Sequence, residues 1–263
     1  FTGGEPLVRR GLVDIVRRTA QLRPRPETSL TTNALGLAKT AQALADAGLD
    51  RVNVSLDTIR SDTFHEITRR DRFADVVAGS AAAQDAGMGP VKVNAVLLRG
   101  VNDDQAPELL EWCLEHGYAL RFIEQMPLDA QHGWSRDQMV TADEILAALE
   151  QHYVLVPSVE PRGSAPAEEF LVDGGPATVG IIASVTRPFC GACDRVRLTA
   201  DGQIRNCLFA REESDLRTAM RAGASDDELA SRWLTAMAGK LPGHGIDDPT
   251  FLQPDRPMSA IGG

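Results

Sequence analysis

Short extended stretches alternate with helical ones over the first 130 residues, and this alternation limits the folds open to the chain. In chain order the stretches lie at 8–22 (helix), 27–34 (strand), 35–47 (helix), 51–57 (strand), 73–86 (helix), 91–98 (strand), 106–115 (helix) and 120–126 (strand). Short links between such units favour a parallel sheet, because each crossover helix returns the next strand in the same direction. We predict an α/β fold with a parallel sheet, open or closed into a barrel.

Beyond residue 130 the rhythm changes. A polar loop leads to a predicted helix at 142–153, and short strands follow at 179–184 and 196–198. Two further helices are predicted at 215–222 and 227–238. This change predicts two domains, residues 1–130 and residues 131–263.

The predicted strands carry polar side chains on one face. Asn53, Ser55 and Asp57 alternate with apolar residues, and Thr31 on the preceding strand and Lys92 on the next continue the polar row. The inside of an ordinary barrel is filled with bulky apolar side chains. A polar row therefore indicates a wide barrel that holds a polar ligand, or else one solvent-exposed face of an open sheet.

The cysteines form the most specific motif. Three of the four cysteines, Cys190, Cys193 and Cys207, make a CxxC-x13-C set that is typical of metal ligation. Zinc requires a fourth ligand, whereas an iron–sulfur cluster bound by three thiolates keeps one iron open to substrate. The spacing of the cysteines alone does not distinguish a zinc site from an iron–sulfur cluster. Cys113 lies on the apolar stripe of a helix, and we predict a buried core thiol there.

Two arginines follow the CxxC. In an extended segment Arg195 and Arg197 point to the same side as Cys193, and a guanidinium matches the geometry of phosphate oxygens. Lys92 and Arg121 are predicted to serve the same anion. The alternative is that these cations pair with surface carboxylates, of which the chain has many.

Composition excludes several classes of protein. The net charge of −10 and the pI near 5.0 argue against a general nucleic-acid binder. No apolar run is long enough to span a membrane, so we expect a cytoplasmic protein without a membrane partner. The chain opens with Phe1-Thr2 in place of an initiator methionine, and we expect it to be part of a longer protein.

Together these stretches resemble the GTP 3′,8-cyclase family of radical S-adenosylmethionine (SAM) enzymes. The segments that carry the resemblance are TGGEPLVRR (2–10), SLTTNA (29–34), RVNVSLDT (51–58), KVNAVLLRGVND (92–103), RFIEQMP (121–127), FCGACDRVRLTADGQIRNCLFA (189–210) and RPMSAIGG (256–263). The resemblance implies an incomplete (β/α)6 TIM-like barrel, without its first βα unit, and a C-terminal α+β domain with an iron–sulfur site.

The resemblance also implies the roles of individual residues. By it, Cys190, Cys193 and Cys207 bind an auxiliary [4Fe–4S] cluster whose open iron faces the guanine of GTP. The residues that it assigns to GTP are Thr31, Lys92, Arg121, Arg195, Val196 and Arg197. Those that it assigns to SAM are Gly4, Ser55 and Met126. For Met126, the alternative to a contact with SAM is packing in the hydrophobic core. The Gly262-Gly263 tail is similar to the family's terminus, which enters the active site.

The family's CxxxCxxC motif, which binds a second [4Fe–4S] cluster, is absent from these 263 residues. We therefore expect the chain to be inactive alone. The resemblance implies conversion of GTP to 3′,8-cyclo-7,8-dihydro-GTP, the first step of molybdenum cofactor (molybdopterin) biosynthesis. It further implies an electron donor and the next enzyme of that pathway as partners, and it allows a homodimer. The alternatives are a non-catalytic zinc- or iron–sulfur-binding module and another radical SAM enzyme with an auxiliary cluster.

Overall fold

The fold centres on a seven-stranded sheet with the strand order β1-β2-β3-β4-β7-β6-β5 in a computed structural model that describes residues 1–261. Its strands are β1 (Ser29–Thr32), β2 (Arg51–Ser55), β3 (Lys92–Ala95), β4 (Ala119–Ile123), β5 (Leu155–Pro157), β6 (Glu168–Val172) and β7 (Thr178–Ile182). Neighbouring strands from β1 through β4 to β7 are parallel, and β6 and β5 continue the sheet in antiparallel fashion.

Helices cover the apolar face of this sheet. They are α1 (Leu12–Ala20), α2 (Leu37–Asp46), α3 (Ser61–Thr68), α4 (Phe73–Asp85), α5 (Ala106–His116) and α6 (Ala142–Leu149). The outward row of the strands, including Leu30, Val54 and Phe122, is completely buried in the core. Burial of such a continuous apolar row is the main favourable contribution to folding.

A smaller unit carries the cysteines. It contains the three-stranded sheet β10-β9-β8, formed by β8 (Arg197–Leu198), β9 (Gln203–Arg205) and β10 (Ser214–Asp215). Beside it lie α7 (Arg217–Arg221) and α8 (Asp226–Ala238). The last helix, α9 (Met258–Ile261), begins where the Met258 N–H donates to the Leu128 carbonyl at 2.9 Å. Among the helices of residues 1–261, none is long and apolar enough to cross a membrane.

The predicted alternation of strands and helices is confirmed, and so is the parallel sheet. The sequence did not predict α3 or the antiparallel pair β5–β6. Strands β5 to β7 come after residue 130 in the chain but belong to the main sheet. The predicted division into two domains at residue 130 stays a prediction. Cys113 is completely buried, as predicted, and burial raises the pKa of its thiol to about 12.

Glu124 joins three parts of the chain just beyond the end of β4. Its carboxylate is almost completely buried and accepts backbone N–H bonds from Ala142 and Val185, both at 2.8 Å, and from Thr186 at 2.9 Å. The Thr186 hydroxyl donates to it as well. A buried carboxylate is tolerated only when it is hydrogen-bonded in this way. Glu124 therefore fastens the start of α6 and the segment after β7 to the end of β4.

We expect Glu124→Gln to lower the free energy of unfolding by about 2 kcal/mol. The glutamine side chain has no negative charge, and its NH₂ group would face N–H donors that need an acceptor. Urea denaturation followed by circular dichroism measures this change. Glu150→Gln, at an exposed carboxylate after α6, is the matched control and should alter stability by less than about 0.5 kcal/mol. Equal stability of the two variants would contradict the role assigned to Glu124.

Candidate functional site

The three clustered cysteines line one pocket. Cys190, Cys193 and Cys207 face it together with Arg195 and Arg197, as the sequence predicts. The pocket lies at the carboxyl ends of the parallel strands, because Met126 and Ser184, which follow β4 and β7, also line it. Ligands of parallel α/β sheets bind at this edge, where the connecting loops converge.

Local backbone structure places the sulfur atoms. Cys190 and Cys193 begin and end a single tight turn, in which the Cys193 N–H donates to the Cys190 carbonyl at 3.1 Å. Cys207 directly follows the β8–β9 hairpin. The buried Arg205 shapes the loop around it, since its guanidinium donates to the backbone carbonyls of Leu208 and Ala210. The same guanidinium pairs with Glu213 at 2.5 Å.

Hydrogen bonds and positive charge surround these thiols. The Arg195 guanidinium lies 3.2 Å from Cys193 Sγ. Burial opposes ionisation, but the backbone and side chain of Arg195 and the charge of Lys240 together lower the pKa of Cys193. Burial and the neighbouring Cys207 raise the pKa of Cys190. Its sulfur accepts a hydrogen bond from the backbone of His244, which acts in the opposite direction. N–H groups and cations near sulfur stabilise thiolates, the form that ligates metals.

The donor set fits an iron–sulfur cluster. Within residues 1–261 no three His, Cys, Asp or Glu side chains are grouped to hold one metal ion. A [4Fe–4S] cluster instead takes one thiolate for each of three irons, so the thiolates surround it and need not converge on a single ion. Three cysteines on one pocket, with hydrogen-bond donors at two of the sulfurs, meet this requirement.

Several residues of this pocket were not predicted from the sequence. Lys240 donates to the carbonyls of Arg195, at 2.7 Å, and Asn206, at 2.5 Å, and so ties the two cysteine-bearing segments together. His244 Nε2 lies 3.0 Å from the Ser184 carbonyl. The other unpredicted lining residues are Ser184, Phe189, Leu208 and Phe209. No local pattern marks Lys240 or His244, because both reach the pocket only through tertiary folding.

Arginines also stack on the ring beside the cysteines. The Arg195 guanidinium lies 4.9 Å from the centre of the Phe189 ring, and that of Arg162 lies 5.4 Å from it. Val196, which the resemblance assigns to GTP, is half-buried between Arg195 and Arg197. Burial lowers the pKa of Arg197, and the nearby Arg195 charge lowers it further. The nearby Cys207 and Cys193 act in the opposite direction and favour the charged guanidinium.

A second polar cluster lies on the inner face of the main sheet. Arg121 Nε donates to Asn94 Oδ1 at 2.9 Å, and Arg121 Nη2 donates to Asn53 Oδ1 at 2.8 Å. Asn53 Nδ2 donates to Thr31 Oγ1 at 3.1 Å. Lys92 stands opposite Asn53 in the β2–β3 register. Thr31, Lys92 and Arg121 are predicted to bind one ligand, and they lie on one face of the sheet, on β1, β3 and β4.

Cations meet on this inner face, where the carboxylate of Glu169 acts against their mutual repulsion. Burial lowers the pKa of Lys92, and the charges of Arg121 and Arg51 lower it further. Burial and Arg51 likewise lower the pKa of Arg121. Like charges brought together out of water are unfavourable unless an anion compensates them. The arrangement therefore favours a negatively charged ligand in this interior.

The residues that the resemblance assigns to SAM are more widely spread. Ser55 ends β2 on the same face as Asn53. Met126 lines the cysteine pocket and also packs against a small core formed by Met139, Val185 and Ile246, so both of its predicted roles are compatible with its position. A Cβ atom at Gly4 would lie 3.4 Å from the Ser259 carbonyl oxygen.

Glu5 holds the turn at Gly3 and Gly4 against the end of β1. Its carboxylate accepts hydrogen bonds from the Thr32 hydroxyl at 2.7 Å and from the backbone N–H groups of Asn33 at 2.8 Å and Leu7 at 2.9 Å. The turn therefore has a fixed position at the sheet edge that the cysteine pocket also borders. The predicted Gly262-Gly263 tail lies outside the residues that the structure describes.

Comparison with known proteins covers both parts of the chain. Residues 1–113 match the family described as "Radical SAM superfamily", and residues 118–246 match "Molybdenum Cofactor Synthesis C". A solved structure of TYW1 with a lysine-pyruvate adduct bound aligns with a TM-score of 0.43 and 17% identity, over 59% of this chain and 51% of that one. That likeness is too slight to bear on the fold.

Curated relatives match the chain from end to end. A GTP 3′,8-cyclase of Streptomyces coelicolor (strain ATCC BAA-471 / A3(2) / M145) is 67% identical and is aligned over 100% of this chain and 77% of its own length. A GTP 3′,8-cyclase of Mycobacterium sp. (strain KMS) is 64% identical, with 100% and 75% aligned. The chain therefore belongs to the GTP 3′,8-cyclase family of radical SAM proteins.

Proposed function

We propose that this protein serves the radical SAM-dependent cyclisation of GTP to 3′,8-cyclo-7,8-dihydro-GTP, the first step of molybdenum cofactor biosynthesis. One observation carries the proposal. Three cysteines and two arginines line a single pocket at the carboxyl ends of β4 and β7. A thiolate-bound cluster beside phosphate-binding guanidinium groups is suited to a nucleotide substrate. The names of the curated relatives support this reading.

The cofactors of the proposal are SAM and [4Fe–4S] clusters. Cys190, Cys193 and Cys207 would hold the auxiliary cluster, with its open iron toward guanine. When bound, SAM and its own cluster would supply the radical chemistry that removes a hydrogen atom from C3′ of the ribose. Forming the C3′–C8 bond of the product would then take one electron and one proton, the electron coming from the electron donor. We assign the ligands of that second cluster, the family's CxxxCxxC, to residues outside these 263.

The chain's own side chains would bind and orient GTP. Lys92, Arg121, Arg195 and Arg197 would hold the triphosphate, because guanidinium and ammonium groups donate charge-assisted hydrogen bonds to phosphate oxygens. Thr31 would add a neutral donor, and Val196 would contact the nucleotide through its backbone. With the phosphates fixed, the ribose has one orientation, which is the main contribution that a protein makes to cofactor chemistry.

The remaining assignments complete the proposal. Gly4, Ser55 and Met126 would contact SAM, and the Gly262-Gly263 tail would enter the active site. The architecture would be an incomplete (β/α)6 barrel, residues 1–130, followed by the cluster-bearing domain, residues 131–263. The partners would be an electron donor, the next enzyme of the molybdopterin pathway and, in a homodimer, a second copy of the chain.

Reconstitution should load the cysteine pocket with iron. We expect anaerobically reconstituted protein to bind about four irons per chain and to absorb visible light, because a [4Fe–4S] cluster is held by its cysteine thiolates. Cys207→Ala should lose most of this iron, whereas Cys113→Ala, at the buried core thiol, should keep it. Iron analysis and electron paramagnetic resonance measure both. Stoichiometric zinc in place of iron would contradict the assignment.

Arg195→Ala should weaken GTP binding about 30-fold, since one charge-assisted hydrogen bond to phosphate contributes about 2 kcal/mol. Isothermal titration calorimetry of the reconstituted protein measures the dissociation constant. As a control, Arg17→Ala removes an exposed guanidinium that pairs with Asp14 on α1. This variant should leave the dissociation constant for GTP unchanged. GTP affinity that is insensitive to Arg195→Ala would refute the proposed role of the pocket.

A further inference from the structure

Neutral amides hold Arg121 inside the sheet. Asn94 Oδ1 accepts from Nε at 2.9 Å and Asn53 Oδ1 accepts from Nη2 at 2.8 Å, so two of the five N–H groups of the guanidinium are fixed. A carboxylate at either position would bind the guanidinium more strongly but would also cancel its charge. The two asparagines orient Arg121 and leave its positive charge for another partner.

The orientation of the Asn53 amide follows from the chemistry of its neighbours. A guanidinium has only donors, so the amide oxygen of Asn53 must face Arg121. Its nitrogen then faces Thr31 and donates to Oγ1 at 3.1 Å. Because Thr31 Oγ1 accepts this bond, the hydroxyl proton of Thr31 points away from Asn53 and can be donated to a ligand.

The sheet register places Asn53 at the centre of the cluster. It lies opposite Thr31 on β1 and opposite Lys92 on β3. Gly180 on β7 confines Arg121 from the other side, since a Cβ atom there would lie 2.9 Å from Arg121 Cγ. Gly180 thus lets the stem of Arg121 pass close to β7, while the two asparagines fix its guanidinium.

We infer that Asn53 is a positioning residue for the phosphate groups of GTP, which it serves by fixing the Arg121 guanidinium and the Thr31 hydroxyl as a matched pair of donors. The inference rests on the proposed function, which supplies GTP as the ligand. Asn53 acts through its two neighbours. Its neutrality is part of the role, because it orders the cation without reducing its attraction for an anion.

Variants of Asn53 test both parts of this role. The probes are GTP and inorganic triphosphate, titrated into anaerobically reconstituted protein by calorimetry. Asn53→Ala should weaken binding of both about tenfold, the effect of one misplaced charged hydrogen bond. Asn53→Asp keeps the size of the side chain and the acceptor for Arg121, yet should weaken both about tenfold because its carboxylate compensates the guanidinium. Gln42→Ala, at an exposed amide on α2, should stay within about twofold of the unsubstituted protein.

A double variant separates positioning from general structural damage. If Asn53 acts through Arg121, Asn53→Ala/Arg121→Ala should lose less affinity than the product of the two single losses. Losses that multiply, or Asn53→Asp binding as tightly as the unsubstituted protein, would overturn the inference. If Arg121→Ala weakens binding while Asn53→Ala does not, the inference alone fails. If the unsubstituted protein binds neither probe, the proposed function fails with it.

Discussion

The site depends on one buried carboxylate. Glu124 accepts backbone N–H bonds from the start of α6 and from the segment after β7, and it stands directly beyond β4. The segments on either side of it, at Met126 and Ser184, are those that line the cysteine pocket. Because a buried carboxylate must keep its hydrogen bonds, it forces these segments into one arrangement. Glu124 therefore positions two segments that line the pocket, although its own side chain does not line it.

The inner face of the main sheet brings several cations together. Lys92 and Arg121 share this face with Arg51, and burial together with these like charges lowers the pKa of both residues. The carboxylate of Glu169 acts in the opposite direction, while the side chains that hydrogen-bond Arg121 are the neutral amides of Asn53 and Asn94. Amide acceptors of this kind orient a guanidinium without neutralising it, which suits the anion-binding role proposed for Arg121.

The sequence predicted those features that repeat with a local period. The two-residue period of the strands gave the polar row of Thr31, Asn53 and Lys92, and the CxxC spacing gave the shared pocket of the cysteines. The pair β5–β6 was missed because it is short, half-exposed and contains Pro157 and two adjacent glutamates, all weak strand signals. Lys240 and His244 were missed because only the tertiary fold brings them to the sulfur atoms.

A chain of ion pairs links the C-terminal segment to the loop that bears Cys207. Arg256 donates to both carboxylate oxygens of Asp201, at 3.0 and 2.6 Å, and lies 3.1 Å from Glu213. Glu213 also pairs with the buried Arg205, whose remaining donors shape the loop after β9. Glu213 therefore contacts both Arg256 and Arg205, and this one carboxylate joins the C-terminal segment to the loop that bears Cys207.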